Sequence, residues 1–123
     1  MIRLIAAGTP PEENLNVLLL ANDADVLSVA LEGVERIELD FPKFTDGRAF
    51  SQARLLRQRR GFQGDIRAIG DVLIDQLVQM YRSGFSSAVL KEGKDPADAE
   101  RQFARYPEFY QGDAVVKQPL FAR

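Results

Sequence analysis

Two rhythms of apolar and polar positions run along this chain. Val17-Leu18-Leu19-Leu20-Ala21 is an unbroken apolar run of strand length that stops at Asn22-Asp23, the pattern of a strand buried on both faces. Arg36-Ile37-Glu38-Leu39-Asp40-Phe41 alternates instead, so a strand here shows Ile37, Leu39 and Phe41 on one face and Glu38 and Asp40 on the other. Asp65-Ile66-Arg67-Ala68-Ile69 and Ala88-Val89-Leu90 give a third and a fourth strand. Helical spacing fills the intervals. Residues 26–31 follow a cap at Asp23 and stop at Gly33, while residues 48–60 place Ala49, Gln52, Ala53 and Leu56 on one face. Gly61 ends that helix, and Phe62 can fold back over its last turn. Asp71 caps a third helix through Ser83, whose apolar face is Leu73, Ile74, Leu77, Val78, Met80 and Tyr81, and Asp95-Pro96 opens a fourth. In the tail, Ala114-Val115-Val116 reads as an edge strand or as a segment lying over the core.

Strand and helix thus alternate at intervals of roughly 20 to 30 residues, the length of a crossover and too long for a hairpin. The reading is one α/β domain over residues 1–123, with four consecutive βα units forming a parallel sheet. A doubly wound sheet would want both faces apolar, whereas the second and third strands each keep a polar face. A half-barrel-like arrangement with its helices on one side is therefore preferred. Such a sheet leaves a bare face or edge, which predicts a homodimer.

Composition narrows the chemistry. With 46% hydrophobic and 28% charged residues the chain has ordinary globular usage, and its net charge of −2 offers no general field for nucleic acid. Cysteine and histidine are both absent, which removes thiolate nucleophiles, thiolate-held metal centres and imidazole proton shuttles. Only oxygen ligands would remain for a metal, and none is expected. No GxGxxG or Walker loop is present, so no cofactor is evident in the sequence. No membrane-length apolar run and no export segment are read, and the expected location is cytoplasmic.

Ligands of parallel sheets sit beyond the carboxyl ends of the strands, and two of the turns expected there are rich in polar groups. The first holds Asp40, Lys43, Thr45, Asp46, Gly47, Arg48 and Ser51, and the second holds Gly70 and Asp71. Free amides at the start of the helix near Arg48, with Lys43, Arg48 and Ser51 around them, make a candidate anion cradle. Arg67 lies inside a strand and needs a carboxylate, for which Glu38 or Asp40 is the natural choice if the strands are neighbours. Such a pair either fixes strand register or belongs to a ligand site. The candidate ligand-binding set is accordingly Lys43, Asp46, Arg48, Ser51, Arg67 and Asp71. As an enzyme the chain would use Asp40, Asp46 or Asp71 as acid or base, with Arg67 stabilising developing negative charge. Arg54, Arg57, Arg59 and Arg60 crowd a helix end, which cations favour without any nucleic acid. Tyr81 reads as core, and Tyr106 and Tyr110, with Phe103 and Phe109, as packing residues or a dimer patch.

The run Phe41-Pro42-Lys43-Phe44-Thr45-Asp46-Gly47-Arg48, followed by Ser51-Gln52-Ala53-Arg54-Leu55-Leu56-Arg57, resembles the signature of a bacterial family, domain of unknown function 934. Arg67-Ala68-Ile69-Gly70-Asp71-Val72-Leu73, then Asp75-Gln76-Leu77 and Gly84-Phe85, resembles its second block. Members commonly lie beside genes of assimilatory sulfite reduction and have been labelled oxidoreductases from that context. The resemblance implies a pathway more than an activity; with the anion cradle it favours an accessory factor that binds a small anionic ligand or a sulfite reductase component, ahead of an oxidoreductase or other enzyme acting on a small oxyanion and of a purely structural interaction domain. It places the family's polar signature on Lys43, Asp46, Arg48, Ser51, Arg54, Arg67, Asp71 and Asp75. Ala49-Phe50 stands where the family usually shows Gly-Tyr, and Ser83 where a cysteine is frequent, so neither a phenol nor a thiol is at hand.

Overall fold

A computed structural model of the protein describes residues 2–10, 15–43, 45 and 47–103. Its centre is one five-stranded, entirely parallel sheet in the order β1-β5-β4-β3-β2, with β1 Arg3–Ile5, β2 Val17–Leu20, β3 Arg36–Phe41, β4 Asp65–Gly70 and β5 Ser87–Val89. From β2 to β5 each strand lies beside the one before it in the chain, the order of a singly wound sheet. The first strand, unforeseen from the short patch Arg3-Leu4-Ile5, sits at the far edge beside β5.

Pairing register sets the two faces. Ile37 lies opposite Ile66, and Leu39 opposite Ala68, which in turn pairs with Ala88; all five are fully buried. Helices α1 Arg48–Gln58 and α2 Leu77–Ser83 cover this side, and Ala99 of α3 Pro96–Phe103 joins the same core. An aromatic cluster links the layers: Phe41 of β3 meets Phe50 of α1 edge-on at 5.1 Å between ring centres and Phe85, just before β5, at 5.7 Å. Phe50 is therefore part of the dry core, where a tyrosine hydroxyl would need a buried partner. Ser83 is buried as well, its hydroxyl donating to the Gln79 carbonyl at 2.8 Å.

Three expectations change. The apolar run at Val17 is an edge strand rather than a central one, with Val17 44% and Leu19 61% exposed, because alternation of faces operates even in an all-apolar segment. Residues 26–31 form turns instead of a helix. A helix of two turns or fewer nucleates poorly, and side chains of α1 and of Arg60 just beyond it take carbonyls in and before this stretch. Gln52 donates to Ala21 and Ala24, and Arg60 to Val26 at 2.8 Å. The helix expected from Asp71 begins late, as a 3-10 turn Ile74–Gln76 running into α2. The Asp71 amide instead donates to the Phe41 carbonyl at 2.7 Å, prolonging the β3–β4 ladder, and the cap position of the 3-10 turn falls to the extended Leu73. Asp95 does cap α3, accepting from the Ala97 amide at 2.9 Å. The segments around Tyr106, Tyr110 and Ala114 to Val116 lie outside the described residues.

Within the basic run at the end of α1, Arg57 has partners well beyond its own helix. It is buried, and its guanidinium donates to three carbonyls, of Gly84 at 2.9 Å, Phe62 at 2.8 Å and Gly64 at 2.7 Å. Burial pushes this group down to about 10, against the opposing charge of Asp65, so it remains a cation at neutral pH. Gly84 permits the approach: its φ is +118°, and an added Cβ would lie 2.7 Å from Arg57 Cγ.

Candidate functional site

The rim at the carboxyl ends of β3, β4 and β5 is built by a close crossing of backbones. Gly70 closes β4 with φ +91°, and a Cβ there would lie 2.6 Å from both the Phe41 carbonyl and Asp40 Oδ1. Only glycine fits, and the fit brings Asp40 and Asp71 to neighbouring positions at the end of the sheet. Beyond β5, Lys91 reaches back and places Nζ 2.7 Å from Asp71 Oδ1. On the other side of Asp40, the exposed Lys43 and Thr45 lead into α1, where Arg48 and Ser51 are exposed on the first turn. The cap position is Gly47, which gives no side-chain hydrogen bond, and no acidic residue stands in the first turn. An N-terminal helix end without either compensation presents its amides and partial positive charge outward.

The opposite face of the sheet carries a separate polar system. Arg36 pairs in register with Asp65, and Glu38 with Arg67, which pairs in turn with Ser87. Asp65 is the hub: Oδ2 receives Arg36 Nε at 2.9 Å and Arg3 Nη2 at 3.2 Å and lies 3.6 Å from Arg67 Nη2, while Oδ1 accepts Ser86 Oγ at 2.5 Å and Ser87 Oγ at 2.8 Å. Burial alone would push its carboxyl up. Hydrogen bonds from Ser86, Ser87 and Arg36, with the charge of Arg67, outweigh that and hold it below the usual carboxylate range. Arg67 Nε donates to Ser87 Oγ at 2.9 Å. The carboxylate Arg67 meets is therefore Asp65 of its own strand, where Glu38 or Asp40 was the expected partner.

The sequence profile of a family described as bacterial protein of unknown function, DUF934, matches residues 17–121. The chain belongs to this family. No curated protein and no solved structure matches this DUF934 chain. Among the described residues of the DUF934 fold no group of histidine, cysteine or carboxylate side chains could hold a metal ion, and no helix is long and apolar enough to cross a membrane.

The fold separates the residues singled out in the sequence. Asp40, Lys43, Arg48, Ser51 and Asp71 all stand at or after the carboxyl ends of β3 and β4, with Asp40 on the same face of β3 as Glu38, and Asp46 lies outside the described residues. Arg67 is not brought to them: α1 covers the apolar face, whereas Arg67 stands on the other face between Glu38 and Ser87. Sequence reasoning missed Lys91 at the rim and the serines around Asp65. The spacing Asp65-x-Arg67, matching Arg36-x-Glu38 on the neighbouring strand, was the available signal for the charged face. The serines carried no such mark, because their role follows from β5 lying beside β4.

Proposed function

We propose that this DUF934 chain is an accessory binding protein of assimilatory sulfite reduction whose rim holds a small oxyanion, with Lys43, Arg48 and Ser51 as contacts and Asp71 positioned beside them by Lys91. The start of α1, whose cap position is a glycine and whose first turn holds no acidic residue, carries this reading, because first-turn amides flanked by two cations and a hydroxyl are suited to sulfite or sulfate. The link to sulfite reduction comes from family resemblance. A reductase component that presents such an anion, or a carboxylate, to the same rim belongs to the reading. So does a homodimer, supported by the outer edge of β2, which no described strand pairs, and by Val17 and Leu19, exposed on the open face of that strand.

Thermal unfolding in sulfite, sulfate and phosphate tests it. Ligand linkage should raise the midpoint in the wild type, and Arg48→Ala together with Lys43→Ala should remove the rise. Equal rises in the variant would reject the rim.

A second reading, an enzyme acting on a small oxyanion, is favoured by the contact of Lys91 with Asp71 at 2.7 Å beside Asp40. In such an enzyme Asp71 would serve as the base, held in place by Lys91. Turnover lost in Asp71→Asn with anion binding retained would favour this reading over the accessory one.

A further inference from the structure

The outward side of α1 sets cations around a neutral centre. Burial divides the helix cleanly: Ala49, Gln52, Ala53 and Leu56 are among its buried residues, whereas Arg48, Ser51, Arg54, Gln58 and Arg59 are exposed and Leu55 is half-buried. At about 100° per residue these outward positions fill a sector of about 140°. Ser51, Leu55 and Gln58 run along its middle at the i, i+4, i+7 spacing. Arg54 stands on one border, and Arg48 and Arg59 stand on the other. Arg59, the cap residue, keeps right-handed helical dihedrals, so the border continues through it.

No aspartate or glutamate occurs between Arg48 and Arg59. Among the described residues no carboxylate forms an ion pair with Arg54 or Arg59. Exposed helices commonly set an acid about one turn from a base, as Asp98 and Arg101 do on α3. Helix α1 forgoes that compensation along its whole exposed side, in a chain whose net charge is −2. Cations bordering a neutral, partly apolar strip are arranged like the rim and centre of a protein interface, where arginine is favoured.

Charge and shape choose the occupant. The strip is narrow and follows the helix for about 16 Å, which matches another helix laid along it. Nucleic acid would meet few cations here, with Leu55 between them, and would bind weakly to a chain of net negative charge. A bilayer needs a broad apolar face, and Leu55 is the one large apolar side chain in the sector.

We propose that the outward face of α1 is a docking surface for an acidic amphipathic helix of a partner protein, with the partner's apolar row on Leu55 and its carboxylates on Arg54 and Arg59. Those three residues take no part in the rim, so either reading can fail alone.

Amide-resolved NMR titration of the full chain with a helical peptide of about 15 residues, carrying glutamates on both sides of a leucine row, tests the proposal. Saturable shifts are expected at Ser51, Leu55 and Gln58, half-complete below about 0.5 mM at low salt and weakened at least about tenfold in 0.3 M salt. Arg54→Glu with Arg59→Glu should lose this peptide by more than about tenfold and gain the matching peptide that carries lysines in place of glutamates. Arg54→Gln with Arg59→Gln should also weaken the acidic peptide, and it decides the matter if the charge-reversed chain fails to fold. No saturable shift up to about 2 mM peptide, or wild-type affinity in the folded variant, would overturn the proposal. Tighter binding of the same residues by a DNA duplex or by phosphatidylglycerol vesicles would overturn it too, in favour of nucleic acid or a membrane.

Discussion

The two faces of one sheet are built from alternate residues of the same strands, yet different physics holds them. On the covered face Ile37, Leu39, Phe41, Ile66, Ala68 and Ala88 are all 0% exposed and cohere by apolar burial, which has no direction and tolerates repacking. On the open face Arg36 and Arg67 are nearly as buried, at 3% and 7%, but each depends on a particular partner. Removing a methylene from the first face leaves a void. Removing one charge from the second leaves other charges stranded, which is why the charged face gives specificity of register more than net stability. Strands β3 and β4 cannot slip by one residue without putting Arg36, Glu38 and Arg67 into the aromatic core.

The sharpest way to break this comparison is Asp65→Ala. With Arg3, Arg36 and Arg67 deprived of their common carboxylate, chemical denaturation should show a loss of about 3–5 kcal/mol. Replacing Arg36, Asp65 and Arg67 together by Leu or Met should cost much less than that single change, and a triple variant as unstable as Asp65→Ala would show that the network contributes net stability. On the covered face Leu39→Ala should cost roughly 2–5 kcal/mol, with no such rescue by changing its neighbours to apolar residues.

At the rim, Gly70→Ala should lose roughly 2–4 kcal/mol, since the new Cβ would meet backbone oxygen at 2.6 Å in a left-handed conformation. A melting temperature within a degree or so of wild type would mean that β3 and β4 do not cross as described.

Acid titration gives a smaller, graded effect. The Asp65 carboxyl is lowered in the folded chain, so the unfolded state binds the proton more readily. Its stabilisation is complete above the ordinary carboxylate value of about 4 and is lost as pH falls through the depressed native value. Asp65→Asn should therefore be less stable than wild type at pH 6 and lose less further stability between about pH 4 and pH 2. Parallel pH profiles for the two would remove Asp65 from the acid response. The smallest effect is expected for Leu19→Lys, which should change unfolding free energy by less than about 0.5 kcal/mol. In sedimentation it should shift a dimer toward the 13.8 kDa monomer if two copies meet along β2, and an unchanged dimer would move the contact elsewhere.

Where a segment's pattern was decided by its own residues, the sequence sufficed. The alternation in β3 and β4, the apolar stripe of α1 and the cap at Asp95 were all legible, because period and capping chemistry are local. The failures have a common cause in contacts distant along the chain. Residues 26–31 looked helical until Gln52 and Arg60 claimed the carbonyls around them, and Asp71 looked like a cap until the Phe41 carbonyl took its amide. Val17 and Leu19 looked like core because nothing in their own run says that β2 lies at an edge. For the candidate site, the rim residues were recognisable as turns after strands. The distance of Arg67 from Arg48 was not, since it depends on which face α1 covers.

The three carbonyls gathered by Arg57 bear on how this chain can be cut or rejoined. They belong to the two residues flanking Gln63 and to the glycine that ends α2, so one side chain ties together stretches separated by the whole of β4. A fragment that stops before Gly84 would expose a dry cation to water without its partners, and a new terminus opened at residues 62–64 would loosen the same joint. Splitting, permutation or insertion should accordingly be borne far better at residues 91–94, whose turn is exposed and outside that knot, than anywhere between α1 and β5.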